Sequence, residues 1–168
     1  YNGDDPAVCR LAAAAGRRSV SFGQAAGTDV RLTRWTVAAD GRTEGILRWR
    51  GREIPVSLPM LGGHYLLNFA AAAGVALDLG LEPDAVAAAA TAIRPFPMRG
   101  ELHELPGGVR LVDDAYNSNP EAMRSVLETL ARWPHRPPTL IVAGEMRELG
   151  PESAALHREV GALVARTG

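Results

Sequence analysis

The sequence predicts an α/β protein built from two parts that differ in their pattern of strands and helices. In the first part, apolar and polar side chains alternate over residues 29–60, which predicts a β-meander followed by helices. In the second part, strand-like and helix-like segments alternate, which is typical of a parallel sheet covered by helices. RPFPMRG (94–100) contains two prolines and a glycine and is a candidate linker. We therefore expect two parts, 1–97 and 98–168.

The elements of the first part follow from turn residues and hydrophobic periodicity. Asp5 and Pro6 predict an N-cap and first residue of a short helix that ends at Gly16. RSVSFG predicts a short strand, and the meander after it turns at Asp40-Gly41 and at Gly51. GGHYLLNFAAAAGVALDLG and EPDAVAAAATAI each predict a helix, because their apolar residues recur on a helical period.

The second part opens with ELHELPGGVRLVDD, which predicts a hairpin that turns at the Pro-Gly-Gly sequence. NPEAMRSVLETLARW predicts a helix with Asn119 as its N-cap and Pro120 as its first residue. PTLIVAGEM predicts a buried strand, and PESAALHREVGALVARTG predicts an amphipathic helix. These elements make only about two strand–helix units, so we expect the second part to be truncated.

Composition excludes several classes of function. The chain has 168 residues, 46% of them hydrophobic and 22% charged, and a net charge of −1. These values give no broad attraction to nucleic acid, and no apolar run approaches the ~20 residues of a membrane span. The single cysteine fits a cytoplasmic location. All 18 basic residues are arginine, so the chain has no P-loop lysine, and it begins without Met, as a piece of a longer polypeptide would.

Polar clusters follow two of the predicted strands. Asp113 and Asp114 follow Leu-Val, while Glu145 and Glu148 follow Ile-Val-Ala-Gly. If the strands are neighbours, both clusters lie in one crevice, because ligands bind beyond the carboxyl ends of parallel strands. Ordinary turn and capping chemistry explains either cluster alone, and both interpretations stay open at this point.

A third group of polar residues lies at the start of the first long predicted helix. In LGGHYLLN, His64 and Asn68 are four residues apart and share one face, and Asn carries both donors and an acceptor for an adenine edge. Arg99 in the linker is suited to clamp a phosphate. A capping His, a packed Asn and a solvated Arg are the structural alternatives. No zinc site is predicted, because three histidines lack metal-ligand spacing: His103, His135 and His157.

Four motifs together resemble those of the ATP-dependent Mur ligases of peptidoglycan synthesis. DDAYNSNP is similar to the family's DDxYNANP, GEMRELG to its GDMxELG, GGHYLLN to its GxHNxxN, and NGDDP to its NxDDP. Ser118, Glu145 and Tyr65 depart from these patterns, which have Ala, Asp and Asn there. The resemblance runs from Asn2 to about Gly161. The combination of YNSNP and ELG resembles the branch that adds D-alanyl-D-alanine to UDP-N-acetylmuramoyl-tripeptide.

The resemblance implies that residues 1–97 are the later part of a central ATP-binding domain and that 98–168 begin a Rossmann-like C-terminal domain. The P-loop and the UDP-binding domain would lie outside this chain. ATP would phosphorylate the terminal carboxylate of the tripeptide, and the amine of D-alanyl-D-alanine would attack the acyl phosphate. Mg²⁺ would neutralise the phosphate charge, with no metal ligand supplied by this chain.

The resemblance also implies a role for each motif residue. Arg99 and Asp114 would carry catalysis, Arg99 on the ATP phosphates and Asp114 on the ribose or elsewhere on the nucleotide. His64, Asn68 and Asp113 would complete the nucleotide site. The residues on the D-alanyl-D-alanine side would be Tyr116, Asn117, Asn119, Glu145 and Glu148.

Two other functions remain possible on the sequence alone. One is a non-catalytic nucleotide-binding module of the same fold. The other is a different amide ligase of the superfamily, such as one that extends folate with glutamate, although the YNSNP cluster argues against it. This chain alone is expected to be inactive as a ligase, because it contains no P-loop.

Overall fold

The computed structural model of the chain describes residues 1–134 and 138–167. The chain contains both helices and strands, and the strands form two sheets, which confirms the predicted α/β class. The elements of the first part are α1 (Pro6–Ala15), β1 (Phe22–Gly23), β2 (Val30–Val37), β3 (Thr43–Trp49), β4 (Arg52–Leu58), α2 (Gly63–Asp78) and α3 (Pro83–Ala92). Those of the second part are β5 (Glu101–Leu105), β6 (Val109–Asp113), α4 (Pro120–Arg132) and α5 (Ser153–Thr167). None of these helices is long and apolar enough to cross a bilayer, so the described residues contain no candidate membrane span.

The predicted meander forms as β2, β3 and β4, which pair antiparallel, and β1 adds to β2 in parallel. The β2–β3 turn closes through bonds from Ala38 N–H to the Arg42 carbonyl (2.9 Å) and from Gly41 N–H to the Ala38 carbonyl (3.0 Å). Buried and exposed positions alternate along β3, so one face of the sheet is covered. Helix α2 covers it against β1, β2 and β3, while α3 packs on β4.

The main hydrophobic core lies between this sheet and the helices α2 and α3. Leu47 and Leu66 are fully buried there, and Ala70 and Ala73 let the helix approach the strands closely. Burial of this kind contributes about 25 cal/mol for each Å² of apolar surface removed from water. The core therefore fixes α2, and with it the first turn that carries His64, against the meander.

The second part departs from the prediction in one respect. Segment 138–146, predicted as a buried parallel strand, forms no strand, and Leu140 and Val142 in it are 89% and 90% exposed. The sheet that does form is the antiparallel pair of β5 and β6, so the predicted parallel sheet is absent from the described residues. A strand persists only where neighbours pair its backbone and cover its faces, and none of the described strands pairs with this segment.

A second, smaller core joins the two parts of the chain, and we call it the junction cluster. Its buried members are Val37, Leu61, Leu130 and Trp133. The Trp133 indole donates to the carbonyl of Ala39 in the β2–β3 turn at 3.4 Å, and the guanidinium of Arg110 lies 4.6 Å from the Trp133 ring centroid. Helix α4 therefore packs directly on the meander.

Candidate functional site

The first turn of α2 is shaped by the two glycines before His64. A Cβ on Gly62 would lie 2.5 Å from the His64 ring, and one on Gly63 would lie 2.5 Å from the ring of Trp35. The Gly62 N–H donates to the buried Thr43 hydroxyl at 2.8 Å, and that hydroxyl donates to the Met60 carbonyl at 2.8 Å. The glycines thus allow a close approach of backbone to aromatic rings, which a side chain would prevent.

His64 faces helix α4 in the structure. Its Nδ1 lies 2.9 Å from the Ser125 hydroxyl, and burial lowers the pKa of His64, which favours the neutral imidazole. Asn68, one turn further along α2, is exposed. The predicted adenine contact at His64 would therefore come from a ring that already contacts the second part of the chain.

Arg99 extends from a tight turn at the end of the linker. Met98 adopts a left-handed conformation with φ of 60°, its N–H donates to Glu101 at 3.0 Å, and its carbonyl accepts from the Tyr116 N–H at 3.2 Å. The guanidinium of Arg99 lies 4.0 Å from the centroid of the Tyr116 ring. The turn thus fixes an exposed cation over the loop that follows β6.

Asp113 and Asp114 differ in environment although they are adjacent. Asp113 accepts a bond from the Ala115 N–H at 3.1 Å, which is ordinary turn chemistry. Asp114 is half-buried, and burial raises the pKa of its carboxyl, opposed by the Gly100 N–H, by the charge of Arg99 and by the Tyr65 hydroxyl. Only Asp114 therefore shares a polar environment with Arg99 and with helix α2.

The three predicted substrate residues of this loop remain accessible. Tyr116 and Asn117 are exposed, and the Asn117 side chain accepts from the Ser118 N–H at 2.9 Å. Asn119 accepts from the Ala122 N–H at 2.8 Å, so it is the N-cap of α4 as predicted. Its amide nitrogen is not used by the cap, which leaves a donor for a ligand.

Glu145 and Glu148 lie apart from this loop in the bonding pattern. Glu145 approaches Arg147 at 3.8 Å, Glu148 adopts φ of 62°, and within 1–134 and 138–167 no hydrogen bond or ion pair joins either one to residues 113–119. The segment that carries them is held by His157, whose Nε2 accepts from the Met146 N–H at 3.1 Å while Nδ1 lies 2.8 Å from the Ser153 carbonyl. His157 is therefore a structural residue that secures the GEMRELG loop to α5.

Among the described residues, one group of side chains of the types that bind metals converges, on one face of the β5–β6 hairpin. Glu101, His103 and Asp113 place one ligand atom each within 4.8 Å of the others. The group does not fit Mg²⁺, which requires octahedral oxygen ligands, because one of its three donors is an imidazole. Both carboxylates also accept backbone bonds, from Met98 and Ala115.

Sequence reasoning gave no role to two residues at this site. Tyr65 lies between His64 and the Asp114 carboxylate, with its ring centroid 4.0 Å from that of His64. Ser125 supplies the partner of His64 from α4. The departure of Tyr65 from the family's Asn was the available signal for the first, whereas no motif marks Ser125.

Comparison with known proteins gives a consistent set of matches. Residues 98–167 match the family model described as "Mur ligase, glutamate ligase domain". The UDP-N-acetylmuramoyl-tripeptide–D-alanyl-D-alanine ligase of Mycobacterium tuberculosis (strain ATCC 25618 / H37Rv) is 35% identical over 98% of this chain and 33% of its own length. The ligase of that name from Escherichia coli (strain K12) is 33% identical over 86% of this chain and 31% of its own.

Solved structures show the same relationship. MurF from Thermotoga maritima in complex with ADP matches 95% of this chain and 36% of its own, with a TM-score of 0.76 and 28% identity. MurF from Acinetobacter baumannii matches 98% of this chain and 35% of its own, with a TM-score of 0.79 and 24% identity, which supports the fold. The chain thus spans about a third of the length of the relatives it matches.

Proposed function

Because the chain belongs to the Mur ligase family, we propose that it is the segment of a UDP-N-acetylmuramoyl-tripeptide–D-alanyl-D-alanine ligase in which the central and C-terminal domains meet. Residues 1–97 would close the ATP-binding domain, and 98–168 would begin the C-terminal domain. The enzyme would act in the cytoplasm, in peptidoglycan synthesis. The relatives that match nearly the whole chain and carry this name support the proposal.

The observation that carries the proposal is the convergence of Arg99 and Asp114 beside the first turn of α2. The exposed guanidinium of Arg99 lies 4.0 Å from the ring centroid of Tyr116. Asp114 carries a carboxylate on the loop after β6, the loop that also contains Tyr116. A fixed cation fits a phosphate, and a fixed carboxylate fits the hydroxyls of a ribose. His64 and Asn68 complete the nucleotide site from α2, with Asp113 holding the loop.

The proposed reaction forms one amide bond and cleaves one phosphoanhydride bond of ATP. The tripeptide carboxylate takes the γ-phosphoryl group of ATP, and ADP leaves. The acyl phosphate then reacts with the amine of D-alanyl-D-alanine, which forms the amide bond and releases phosphate and a proton. Arg99 would stabilise the charge on the transferred group, because a preorganised cation costs no reorganisation in the transition state. Mg²⁺ would neutralise phosphate charge; the group of Glu101, His103 and Asp113 does not fit this ion, and no step proposed for the residues of this chain passes through it.

The acceptor side of the site would be formed by the exposed residues of two loops. Tyr116, Asn117 and Asn119 would bind D-alanyl-D-alanine, and Asn119 would do so through the amide nitrogen that its capping role leaves free. Glu145 and Glu148 would approach from the loop that His157 secures. Among the described residues, no hydrogen bond or ion pair joins either glutamate to residues 113–119, so each loop would contact the acceptor through its own side chains.

The experiment substitutes Arg99→Ala and Asp114→Ala in the ligase polypeptide that contains this segment. ATP turnover that depends on both tripeptide and D-alanyl-D-alanine is expected to fall by about two orders of magnitude in each variant. Arg10→Ala is the control, because Arg10 is an exposed arginine on α1. Turnover close to that of the unsubstituted enzyme in both site variants would contradict the assignment, and amide synthesis by residues 1–168 alone would contradict the dependence on a P-loop.

A panel of acceptors tests the alternative amide ligase. The matched family model is described as a glutamate ligase domain, so glutamate is included beside D-alanyl-D-alanine. We expect product with D-alanyl-D-alanine, and product with glutamate alone would move the enzyme to another branch. Nucleotide binding with no product from any acceptor would favour the non-catalytic module.

A further inference from the structure

Tyr65 lies where the two parts of the chain meet, and the proposed function gives it no role. It follows His64 in the first turn of α2, so it belongs to the first part, and its side chain is half-buried. Its neighbours include Gly100 and Asp114, which belong to the second part. Because this side chain contacts both parts, the position of the loop that follows β6 depends on the position of α2.

The ring of Tyr65 is fixed by direct contact with backbone. A Cβ built on Gly100 would lie 2.6 Å from the Tyr65 hydroxyl oxygen, 2.8 Å from Cε2 and 3.0 Å from Cζ. Gly100 is buried and has φ of 69°, a conformation that favours glycine. The absence of a side chain at this position therefore makes room for the phenol.

The hydroxyl of Tyr65 is directed at the Asp114 carboxylate. The phenol packs over Gly100, which directly precedes Glu101, and Glu101 is the β5 partner of Asp113, so Asp114 lies beside the Tyr65 hydroxyl. Donation from the Gly100 N–H and from the Tyr65 hydroxyl, together with the charge of Arg99, favours the ionised form of Asp114 and opposes the rise in its pKa that burial causes. Burial and the nearby Asp114 charge raise the pKa of Tyr65 to about 12, so the hydroxyl remains a donor at neutral pH. A carboxylate has about four acceptor sites, so donors at Tyr65 and Gly100 can orient it and leave acceptor capacity for a ligand.

We propose that Tyr65 is a positioning residue for nucleotide binding, which orients the Asp114 carboxylate through its hydroxyl while its ring packs on Gly100. The inference rests on the proposed function, because it assumes that Asp114 binds the nucleotide. It also explains the departure from the family's pattern, since a shorter asparagine amide cannot fill the space over Gly100. The nucleotide affinity of this protein then depends on how α2 and the loop after β6 are docked.

The first experiment tests the contact without reference to catalysis. The unfolding equilibrium of residues 1–168 is measured in urea for Tyr65→Phe, Asp114→Ala and the double variant. Tyr65→Phe keeps the ring on Gly100 and removes only the hydroxyl, so it should shift the unfolding constant by about tenfold with Asp114 present and by less than about twofold without it. Tyr1→Phe is the matched control and should be additive with Asp114→Ala.

The second experiment measures steady-state kinetics of the ligase polypeptide that contains this segment. Tyr65→Phe is expected to raise KM for ATP about tenfold and to change kcat less than about twofold, because it weakens ground-state binding of the nucleotide. A purely structural Tyr65 would leave both constants unchanged in the Phe variant.

The outcomes separate the inference from the proposed function. Additive stability effects of Tyr65→Phe and Asp114→Ala would overturn the inference. Coupled stability with an unchanged KM in Tyr65→Phe would also overturn it, while Asp114→Ala still reports on the ligase assignment. If Asp114→Ala leaves turnover intact, the proposed role of Asp114 fails first and the positioning role fails with it.

Discussion

Substitution of Gly100 is expected to lower the free energy of unfolding in two ways, by backbone strain and by a steric clash with Tyr65. Gly100→Ala places a methyl group 2.6 Å from the Tyr65 hydroxyl and strains a residue with φ of 69°. We expect the free energy of unfolding to fall by about 1–2 kcal/mol from strain and by about 1–3 kcal/mol more from overpacking. Urea unfolding of residues 1–168 measures the sum.

Gly107→Ala is the matched control for that substitution. Gly107 has φ of 80°, and no atom lies within 4 Å of a Cβ built there, so only strain is expected. Equal destabilisation by Gly100→Ala and Gly107→Ala would show that the Tyr65 contact is not tight.

His64 makes the stability of the chain depend on pH. Burial lowers the pKa of His64 below 6.5, so the unfolded chain binds a proton more readily than the folded one. The free energy of unfolding should therefore decrease as the pH falls through about 6.5 toward the lowered folded value. His64→Gln is expected to remove this component of the pH dependence, measured by urea unfolding at about pH 7.5 and about pH 5.5, roughly one unit above and one unit below the unfolded pKa of about 6.5.

Ser125→Ala distinguishes burial from hydrogen bonding as the cause of the lowered pKa of His64. It removes the 2.9 Å partner of His64 but leaves the ring covered, so the pH dependence should persist. A slope that survives in His64→Gln, or disappears in Ser125→Ala, would contradict this explanation.

Residue types identified the loop after β6, but they could not identify its partners. The doubled aspartate and Arg99 were predicted from motif and position, and the structure adds that Asp114 and Arg99 share an environment while Asp113 closes a turn. Tyr65 could not be assigned a role, because its contacts with Gly100 and Asp114 cross about 35 to 50 residues of sequence, and such long-range packing leaves no local pattern.

At the scale of elements, Asn119 combines a capping role with a predicted substrate role. Asn119→Ala removes the 2.8 Å acceptor of the Ala122 N–H and should lower the free energy of unfolding by about 1 kcal/mol. Asn119→Asp keeps a capping oxygen and should unfold like the parent chain in urea. A stable Asn119→Asp variant with a raised KM for D-alanyl-D-alanine in the ligase would indicate that the amide nitrogen binds substrate. An Asn119→Ala variant as stable as the parent chain would contradict the stabilising role of the cap.

The structure confirms the elements that capping residues, turn residues or alternation predict. The predicted strand at 138–146, which requires neighbouring strands to pair with it, does not form. The α1 and α4 boundaries follow from Asp5-Pro6 and Asn119-Pro120, and the meander follows from its alternation and its Asp40-Gly41 turn. Segment 138–146 has an apolar sequence that suits a buried strand, but none of the described strands pairs with it. Strand formation is a property of the sheet, so the sequence of one segment does not determine it.

For the whole molecule, the junction cluster determines whether the two parts unfold together. Trp133 is 7% exposed, and a Cβ at Gly41 would lie 3.4 Å from its ring, so α4 and the β2–β3 turn share this side chain. Trp133→Ala should cost about 3–5 kcal/mol and split one calorimetric transition into two, because the main core between α2 and the sheet remains intact.

Trp49→Ala provides the comparison for that prediction, because Trp49 is 8% exposed within the main core and lies outside the junction cluster. It should lower the stability by a similar amount, but it should keep a single transition in which the calorimetric and van't Hoff enthalpies agree. Since Arg99 and Asp114 belong to the second part and His64 to the first, loss of the junction should also weaken the His64–Ser125 and Tyr65–Asp114 contacts. A single transition in Trp133→Ala would contradict this prediction and would mean that the contacts of the linker and of α2 couple the two parts without the junction cluster.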